Sequence, residues 1–259
     1  MGSSVSVIVP VYQADEWIGQ CLASIEAQTF KDIELIRIDD PKGTGAAAAR
    51  NRGLLKVKGD WIAFCDADDY LEPDAIQNMV DASEGVDMVV GSFRKFGDFE
   101  QVIRYPKTTD LAMELVAEYV MWNLQAPRHH QLLSGCWAKL YRADHVRAFP
   151  FLTTAEDMSF TFDYLTRCKS VRFLSDVVYN NRKRQGSLST TFNENDKPGL
   201  FGFLRALREV KRFLLPFFTE DEIDAAIDNS KVYHSALYFS RVCQQTGWSM
   251  REALMRLYP

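Results

Sequence analysis

Short apolar runs alternate with helix-like segments along the first part of the chain. Runs typical of buried strands cover residues 5–9, 33–38, 61–65 and 88–92. Between them, apolar side chains recur at helical spacing over residues 18–25, an alanine-rich stretch covers residues 46–56, and a further helix is expected to begin near Pro73. Short strands that alternate with helices predict an α/β fold with a mostly parallel sheet and right-handed crossovers.

The pattern changes after about residue 105, where longer helices separated by loops are expected over residues 111–122 and 156–166. From residue 198 to the end, nearly every segment has a helical pattern. These changes predict an α/β unit over residues 1–196, with parts 4–105 and 106–196, and a C-terminal helical segment over residues 197–259.

Composition narrows the class of protein. Of the 259 residues, 47% are hydrophobic and 25% are charged, as in an ordinary folded globular protein. A net charge of −5 argues against a dedicated nucleic-acid-binding protein, which needs a cationic surface. The five cysteines form no C-x-x-C pair, and the chain has neither an apolar run of about 18 residues nor a signal-peptide pattern. We therefore expect reduced thiols and a cytoplasmic protein.

Polar residues follow three of the predicted strands. Tyr12 comes just after Pro10 at the end of the first strand, Asp40 follows the second, and the stretch 66–69 (Asp-Ala-Asp-Asp) follows the third. In parallel sheets, ligands bind beyond the carboxyl ends of the strands. We therefore expect these residues to line one rim of the sheet.

The stretch 66–69 is the most informative of these segments. Carboxylates so close together repel one another unless a cation or hydrogen-bond donors compensate for their charge. Mg²⁺ or Mn²⁺ typically takes one or two protein carboxylates together with phosphate oxygens of a substrate, so the stretch 66–69 is a candidate metal site. A solvated turn that caps the next helix is the structural alternative.

Two further charged clusters allow both a functional and a structural interpretation. Glu156 and Asp157 open a predicted helix, where acidic residues interact favourably with the helix dipole without any catalytic role. The basic run from Arg182 to Arg184 is suited to binding a pyrophosphate through charge-assisted hydrogen bonds, and a solvated basic loop would show the same pattern.

A competing hypothesis comes from residues 43–48, which match the G-x-G-x-x-A pattern of dinucleotide-binding folds, with Asp66 about 20 residues further on. This alternative is a NAD-dependent sugar-nucleotide oxidoreductase. Against it, Asp39 and Asp40 would repel a pyrophosphate at that helix end, and Asp68 and the basic run would have no role.

The ordered series of motifs resembles glycosyltransferase family 2, of the bacterial polysaccharide type. The matching segments are 5–12, 24–30, 39–40, 49–53, 59–69, 137–141, 156–157 and 182–189. The resemblance covers roughly residues 4 to 190 and implies the GT-A fold, a Rossmann-like, mostly parallel sheet flanked by helices, here with a C-terminal helical extension. Residues 4–105 would form the nucleotide-sugar-binding half and residues 106–196 the acceptor half.

The resemblance also implies roles for individual residues. The expected donor-binding residues are Pro10, Tyr12, Asp40, Arg50, Asp66, Ala67, Arg182 and Arg184. Within this set, Tyr12 and Asp40 would hold the base and Asp66 the ribose. Asp68, together with Asp66, would hold Mn²⁺ or Mg²⁺ against the diphosphate. Asp157 would be the general base, with Glu156 as the second candidate.

The implied activity is inverting transfer of a sugar from a nucleotide sugar, expected to be UDP-linked, to a hydroxyl of a saccharide or lipid-linked saccharide in surface polysaccharide synthesis. A catalytically silent sugar-binding module is an alternative.

The sequence departs from the family pattern at residues 41–48, which replace a longer family segment and shorten the donor floor. Basic and aromatic residues over 200–218 favour either packing on the catalytic unit or contact with the inner face of the membrane.

Overall fold

The computed structural model of the protein describes residues 3–105, 107–126, 135–152, 155–183, 198–249, 251–252 and 255. Within these residues the strands are β1 (Val5–Val11), β2 (Ile33–Asp39), β3 (Trp61–Phe64), β4 (Tyr70–Leu71), β5 (Met88–Gly97), β6 (Gln101–Ile103), β7 (Thr109–Ala112), β8 (Lys139–Arg142) and β9 (Ser170–Lys183). The helices are α1 (Ile18–Glu26), α2 (Ala46–Leu54), α3 (Ala75–Asp81), α4 (Met113–Gln125), α5 (Glu156–Leu165), α6 (Pro198–Leu214) and α7 (Glu220–Thr246), and a 3₁₀ turn covers Ala143–His145.

The strands form one mixed sheet in the order β2-β1-β3-β8-β5-β9-β4, with β6 added to β5 and β7 added to β9. β1 pairs in parallel with both β2 and β3, and β5 pairs in parallel with β9. β8 lies antiparallel between β3 and β5. The predicted α/β class is confirmed, and the parallel trio β2-β1-β3 brings the carboxyl ends of three strands to one edge.

The core follows the hydrophobic pattern of the sequence. β1 and β3 are almost completely buried, as expected of strands covered on both faces. α2 packs closely on β1: a Cβ atom on Gly53 would lie 2.5 Å from Cγ2 of Ile8. The absence of a side chain at Gly53 therefore sets how near this helix lies to the sheet.

The C-terminal helices pack against the rest of the fold. α6 contacts α5 and α7, and the ring centroids of Phe162 on α5 and Phe213 on α6 are 6.0 Å apart. The buried residues of α6 are Ala206, Leu207, Val210, Phe213 and Leu214, whereas Arg205, Arg208 and Arg212 are exposed. α7 begins with a capping box between Thr219 and Glu222. In the described part of the chain, no helix has the length and apolar character needed to cross a bilayer.

Candidate active site

The acidic turn after β3, residues 66–69, is built around the buried side chain of Asp69. Oδ2 of Asp69 accepts hydrogen bonds from the Tyr179 hydroxyl at 2.8 Å and from Nδ2 of Asn181 at 2.9 Å, and Oδ1 accepts the amide N–H of Arg182 at 2.6 Å. Burial, and then the charges of Asp66 and Asp68, raise the pKa of Asp69 to about 8. Asp69 therefore anchors the turn to β9.

Arg50 joins the two acidic clusters of the sequence. Its Nη2 donates to Oδ1 of Asp66 at 2.8 Å, and its Nη1 donates to Oε1 of Glu156 at 2.7 Å. The Arg50 side chain is only 5% exposed. The end of β3 and the start of α5, which are ninety residues apart in the chain, are thus brought together by one buried guanidinium group.

Asp157 lies next to this bridge, in the first turn of α5. Its Oδ1 accepts the amide N–H of Met158 at 2.7 Å. Burial, followed by the charge of Glu156, raises the pKa of Asp157 to about 7, against the lowering effect of Arg50. Asp157 also interacts electrostatically with its charged and titratable neighbours, which are Glu156, Arg50, Asp66, Cys136, Lys139 and Tyr141. A carboxyl group with a pKa near neutrality is suited to general-base work.

Asp40 is buried at the end of β2, and its carboxylate closes the shortened loop 41–45. Oδ1 accepts from the Thr44 hydroxyl at 2.8 Å and from Nη2 of Arg52 at 3.1 Å, and Oδ2 accepts the amide N–H of Gly45 at 3.1 Å. Burial raises the pKa of Asp40, but these hydrogen bonds outweigh it and leave the pKa below its usual value. The carboxylate thus occupies the N-terminal end of α2, where the dinucleotide hypothesis would place a pyrophosphate.

Tyr12, Pro10 and Ala67 lie on the same rim. The Tyr12 side chain is 48% exposed, and its ring lies over the loop 41–45: a Cβ atom on Gly43, whose φ is +62°, would come within 3.1 Å of the Tyr12 hydroxyl. Pro10 is partly buried near the end of β1, and Ala67 is buried within the acidic turn. An exposed aromatic ring beside a closed loop is a suitable surface for a planar base.

Arg182 lies against the acidic turn. Its Nε donates to the backbone oxygen of Asp68 at 2.8 Å, its Nη2 donates to Oε1 of Gln20 at 2.6 Å, and its guanidinium carbon lies 4.6 Å from the ring centroid of Phe96. The side chain therefore supports the turn that carries Asp68. The second predicted arginine, Arg184, lies outside the described residues.

Residues around the start of β8 and on β9 add contacts beside the acidic turn that no predicted site residue makes. The ring of Trp137 stacks on Tyr179 at 5.0 Å between centroids. The buried Nζ of Lys139 donates to the backbone oxygens of Gly135 at 2.6 Å and Trp137 at 3.2 Å, and burial lowers the pKa of Lys139 to about 8. In the sequence, the motif at residues 137–141 indicated that Trp137 and Lys139 have a role, whereas no motif includes Tyr179.

The chemistry of the acidic turn determines how a metal ion would fit. Among the residues that the structure describes, no three His, Cys, Asp or Glu side chains are grouped as metal ligands. One oxygen of Asp66 is bound by Arg50, and both oxygens of Asp69 accept hydrogen bonds, so the residues of the turn that would hold the ion are Asp68 and Asp66, the latter through its other oxygen. One or two carboxylates are sufficient for Mg²⁺ or Mn²⁺ when a diphosphate completes the shell. The donor set fits such a site.

Comparison with known proteins identifies the family. The model of glycosyl transferase family 2 matches residues 6–44 and 40–150, and the chain belongs to this family. The two matched segments overlap at residues 40–44, within the connection between β2 and α2.

Curated relatives and solved structures agree with this assignment. The chain is 27% identical to the glycosyltransferase GlyA of Streptococcus pneumoniae over 224 residues, 73% of this chain and 32% of GlyA. It is 26% identical to EpsH of Bacillus subtilis over 278 residues, 95% of this chain and 77% of EpsH. The structure of S. aureus TarS in complex with UDP-GlcNAc is similar with a TM-score of 0.67 at 20% identity, covering 88% of this chain and 71% of that one. This likeness confirms the predicted GT-A fold.

Proposed function

We propose that the protein is an inverting glycosyltransferase that uses a UDP-linked sugar as its donor. The observation that carries the proposal is the meeting of two acidic groups, the turn 66–69 after β3 and the Glu156–Asp157 pair of α5, across Arg50. Support for the donor comes from the similar TarS fold, which was solved in complex with UDP-GlcNAc. The chain spans about a third of GlyA, so the activity of the whole protein is part of this proposal.

The donor would lie along the rim formed by β1, β2 and β3. Tyr12 would stack on the base, Asp66 would bind the ribose, and Asp68 would face the diphosphate. Asp40 would contribute to the base pocket by holding the loop 41–45 in place. Arg182, which lies against the acidic turn, and Arg184 would bind the pyrophosphate through charge-assisted hydrogen bonds.

Asp68 and the second oxygen of Asp66 are the residues that would hold Mn²⁺ or Mg²⁺. When bound there, the ion supplies charge neutralisation for the leaving nucleoside diphosphate.

Asp157 would accept the proton of the acceptor hydroxyl. As the acceptor oxygen forms a bond to the anomeric carbon, the bond from that carbon to the diphosphate breaks on the opposite face of the sugar, and the configuration inverts. A pKa near 7 leaves much of Asp157 ionised at neutral pH and still basic enough to take the proton. A positioned base of this kind contributes about 10² to 10⁴ in rate.

The acceptor that we propose is a saccharide or lipid-linked saccharide of a bacterial surface polysaccharide, reached from the cytoplasmic side. Because the apolar face of α6 is buried, membrane contact would involve the exposed Arg205, Arg208 and Arg212. Binding of the intact protein to anionic but not to neutral liposomes would support such contact. Absence of binding to both would remove it from the proposal.

A screen of nucleotide sugars with Mn²⁺ tests the function, with release of nucleoside diphosphate as the readout. We expect release with a UDP-sugar, loss of release with a chelator, and an inverted anomeric product in the presence of a saccharide acceptor. A catalytically silent sugar-binding module would release no nucleoside diphosphate with any donor. An oxidoreductase would instead bind NAD, which a thermal-shift titration detects.

A further inference from the structure

The guanidinium of Arg50 is buried, and each of its two terminal nitrogens bonds one carboxylate. Nη1 bonds Glu156 at 2.7 Å and Nη2 bonds Asp66 at 2.8 Å, while the buried Nε has no hydrogen-bond partner among the residues that the structure describes. A buried charge is tolerated when it is paired, and removing one partner of such a group is costly. The position of the Arg50 side chain therefore depends on both carboxylates, and the positions of both carboxylates depend on Arg50.

Two consecutive residues of α2 hold the chain segment that leads into α5. Asn51 forms a double hydrogen bond with the backbone of Phe149: its Nδ2 donates to the oxygen at 3.0 Å, and its Oδ1 accepts the N–H at 2.7 Å. The Phe149 ring stacks on Phe160 of α5 with 3.9 Å between centroids. Arg50 then holds Glu156, so α2 fixes both the approach to α5 and its first residue.

The start of α5 has no side-chain cap at its N-cap position, and within the first turn Oδ1 of Asp157 accepts the amide N–H of Met158. The N-cap position is Ala155, which has a left-handed φ of 57° and forms no side-chain cap. Ser, Thr, Asp or Asn normally stabilises this position. The ion pair between Arg50 and Glu156 is therefore a main restraint on the turn that carries Asp157.

We propose that Arg50 is a positioning residue that holds the donor-side Asp66 and the acceptor-side Glu156 in one fixed arrangement, and that it is not a ligand of the nucleotide. This inference rests on the proposed function. The inference also assigns different roles to the two candidate bases. Glu156 serves as the anchor of α5 because its carboxylate is engaged by Arg50, and Asp157 is left to accept the proton.

The test uses the full chain and the variants Arg50→Gln, Glu156→Gln and their combination. Arg37→Gln is the matched control, because Arg37 is 45% exposed and its partner Asp39 is 60% exposed. We measure kcat and KM for the donor, the Kd of UDP with Mn²⁺, and hydrogen exchange at the amide of Ser159. That amide donates to the Ala155 oxygen at 3.0 Å at the start of α5.

We expect Arg50→Gln to lower kcat by about 10- to 100-fold, the cost of a small misplacement of a reacting group, while the Kd of UDP changes less than about threefold. The Ser159 amide should exchange faster, and the double variant should be no worse than Arg50→Gln alone. A rise in the Kd of UDP that matches the loss of kcat would make Arg50 a nucleotide ligand and overturn the proposal. Unchanged exchange at Ser159 would overturn it as well.

A second variant covers the case in which Arg50→Gln does not fold. Arg50→Lys keeps the charge but cannot bond two carboxylates in the fixed geometry of a guanidinium group. We expect it to show the same fall in kcat and the same faster exchange at Ser159, and wild-type values for both would contradict the proposal. If the wild-type protein turns over no nucleotide sugar, the proposed function fails, whereas the exchange measurement still decides whether Arg50 restrains α5.

Discussion

The hydroxyl group of Tyr179 donates a hydrogen bond of 2.8 Å to Oδ2 of Asp69. The same hydroxyl accepts the amide N–H of Asp66 at 3.0 Å. One phenol on β9 therefore holds the first and the last residue of the acidic turn. The turn keeps its shape through this contact, so the orientation of Asp68 between them depends on a residue more than one hundred positions away in the chain.

Replacement of Tyr179 by Phe should lower the free energy of unfolding by about 1–3 kcal/mol, the cost of leaving buried polar groups without a partner. Both the N–H of Asp66 and an oxygen of Asp69 lose their bond to the hydroxyl. Urea unfolding measures the change. Tyr12→Phe is the control, since its side chain is largely exposed, and it should stay within about 0.5 kcal/mol of wild type. Equal stabilities of the two variants would contradict the role of Tyr179.

Replacement of Asp157 by Asn should lower kcat by about 10² to 10⁴ with little change in the Kd of UDP. The amide keeps the shape of the carboxyl but cannot take a proton. Steady-state kinetics and calorimetric titration with UDP measure the two effects. Asp163→Asn, on the same helix and bound to Arg167, is the control and should retain most of the activity. Near-wild-type turnover by Asp157→Asn would remove Asp157 as the base.

The rate of transfer should rise with pH through an apparent pKa of about 7, because Asp157 must be ionised to act as the base. Burial holds the pKa above its usual range, so the proton stays on at a pH where an exposed aspartate has lost it. Below pH 7, kcat/KM should fall about tenfold per pH unit. A pH profile of kcat/KM for the donor, which reports the ionisation of the free enzyme, measures this, and Asp163→Asn should leave the midpoint unchanged. A flat profile between pH 5 and pH 8 would be incompatible with this assignment.

Removal of the metal should weaken donor binding only when Asp68 is present. We expect a chelator to raise the Kd of UDP for the wild-type protein by at least about tenfold, because the cation links a carboxylate to the diphosphate. Asp68→Ala should bind UDP as weakly as the chelated wild type and should not respond to Mn²⁺. Asp74→Ala, at the start of α3, is the control for loss of a carboxylate. If Mn²⁺ still lowers the Kd of UDP for Asp68→Ala, the ion binds elsewhere.

The hydrophobic pattern was sufficient to predict the parallel trio β2-β1-β3. The runs at β1 and β3 are buried and largely apolar, β2 alternates apolar residues with Glu34, Arg37 and Asp39, and each strand is followed by polar residues that mark its carboxyl end. β9 was not predicted, although it has fourteen residues, because its charged and polar positions interrupt the apolar pattern and its pairing with β5 includes register shifts. Long-range strand pairing decides its conformation, and a local pattern does not contain that information.

The acidic residues of the candidate site could be predicted from sequence, but their partners could not. The acidic run at residues 66–69 indicated a charged site, yet the burial of Asp69 depends on Tyr179 and Asn181 of β9, a strand far away in sequence. The bridge from Arg50 to Glu156 likewise joins residues 106 positions apart. The roles assigned to Tyr12, Asp40, Asp68 and Asp157 remain predictions.

A crystal structure of the protein with UDP and Mn²⁺ tests the central claim most directly. We expect the diphosphate on the rim beyond β1, β2 and β3, and a carboxylate oxygen of Asp68 about 2.0–2.2 Å from the ion, the usual distance for small divalent cations bound by carboxylates. Asp157 should lie across the site from the diphosphate. Nucleotide bound at another surface, or Asp68 turned away from the ion, would contradict the account.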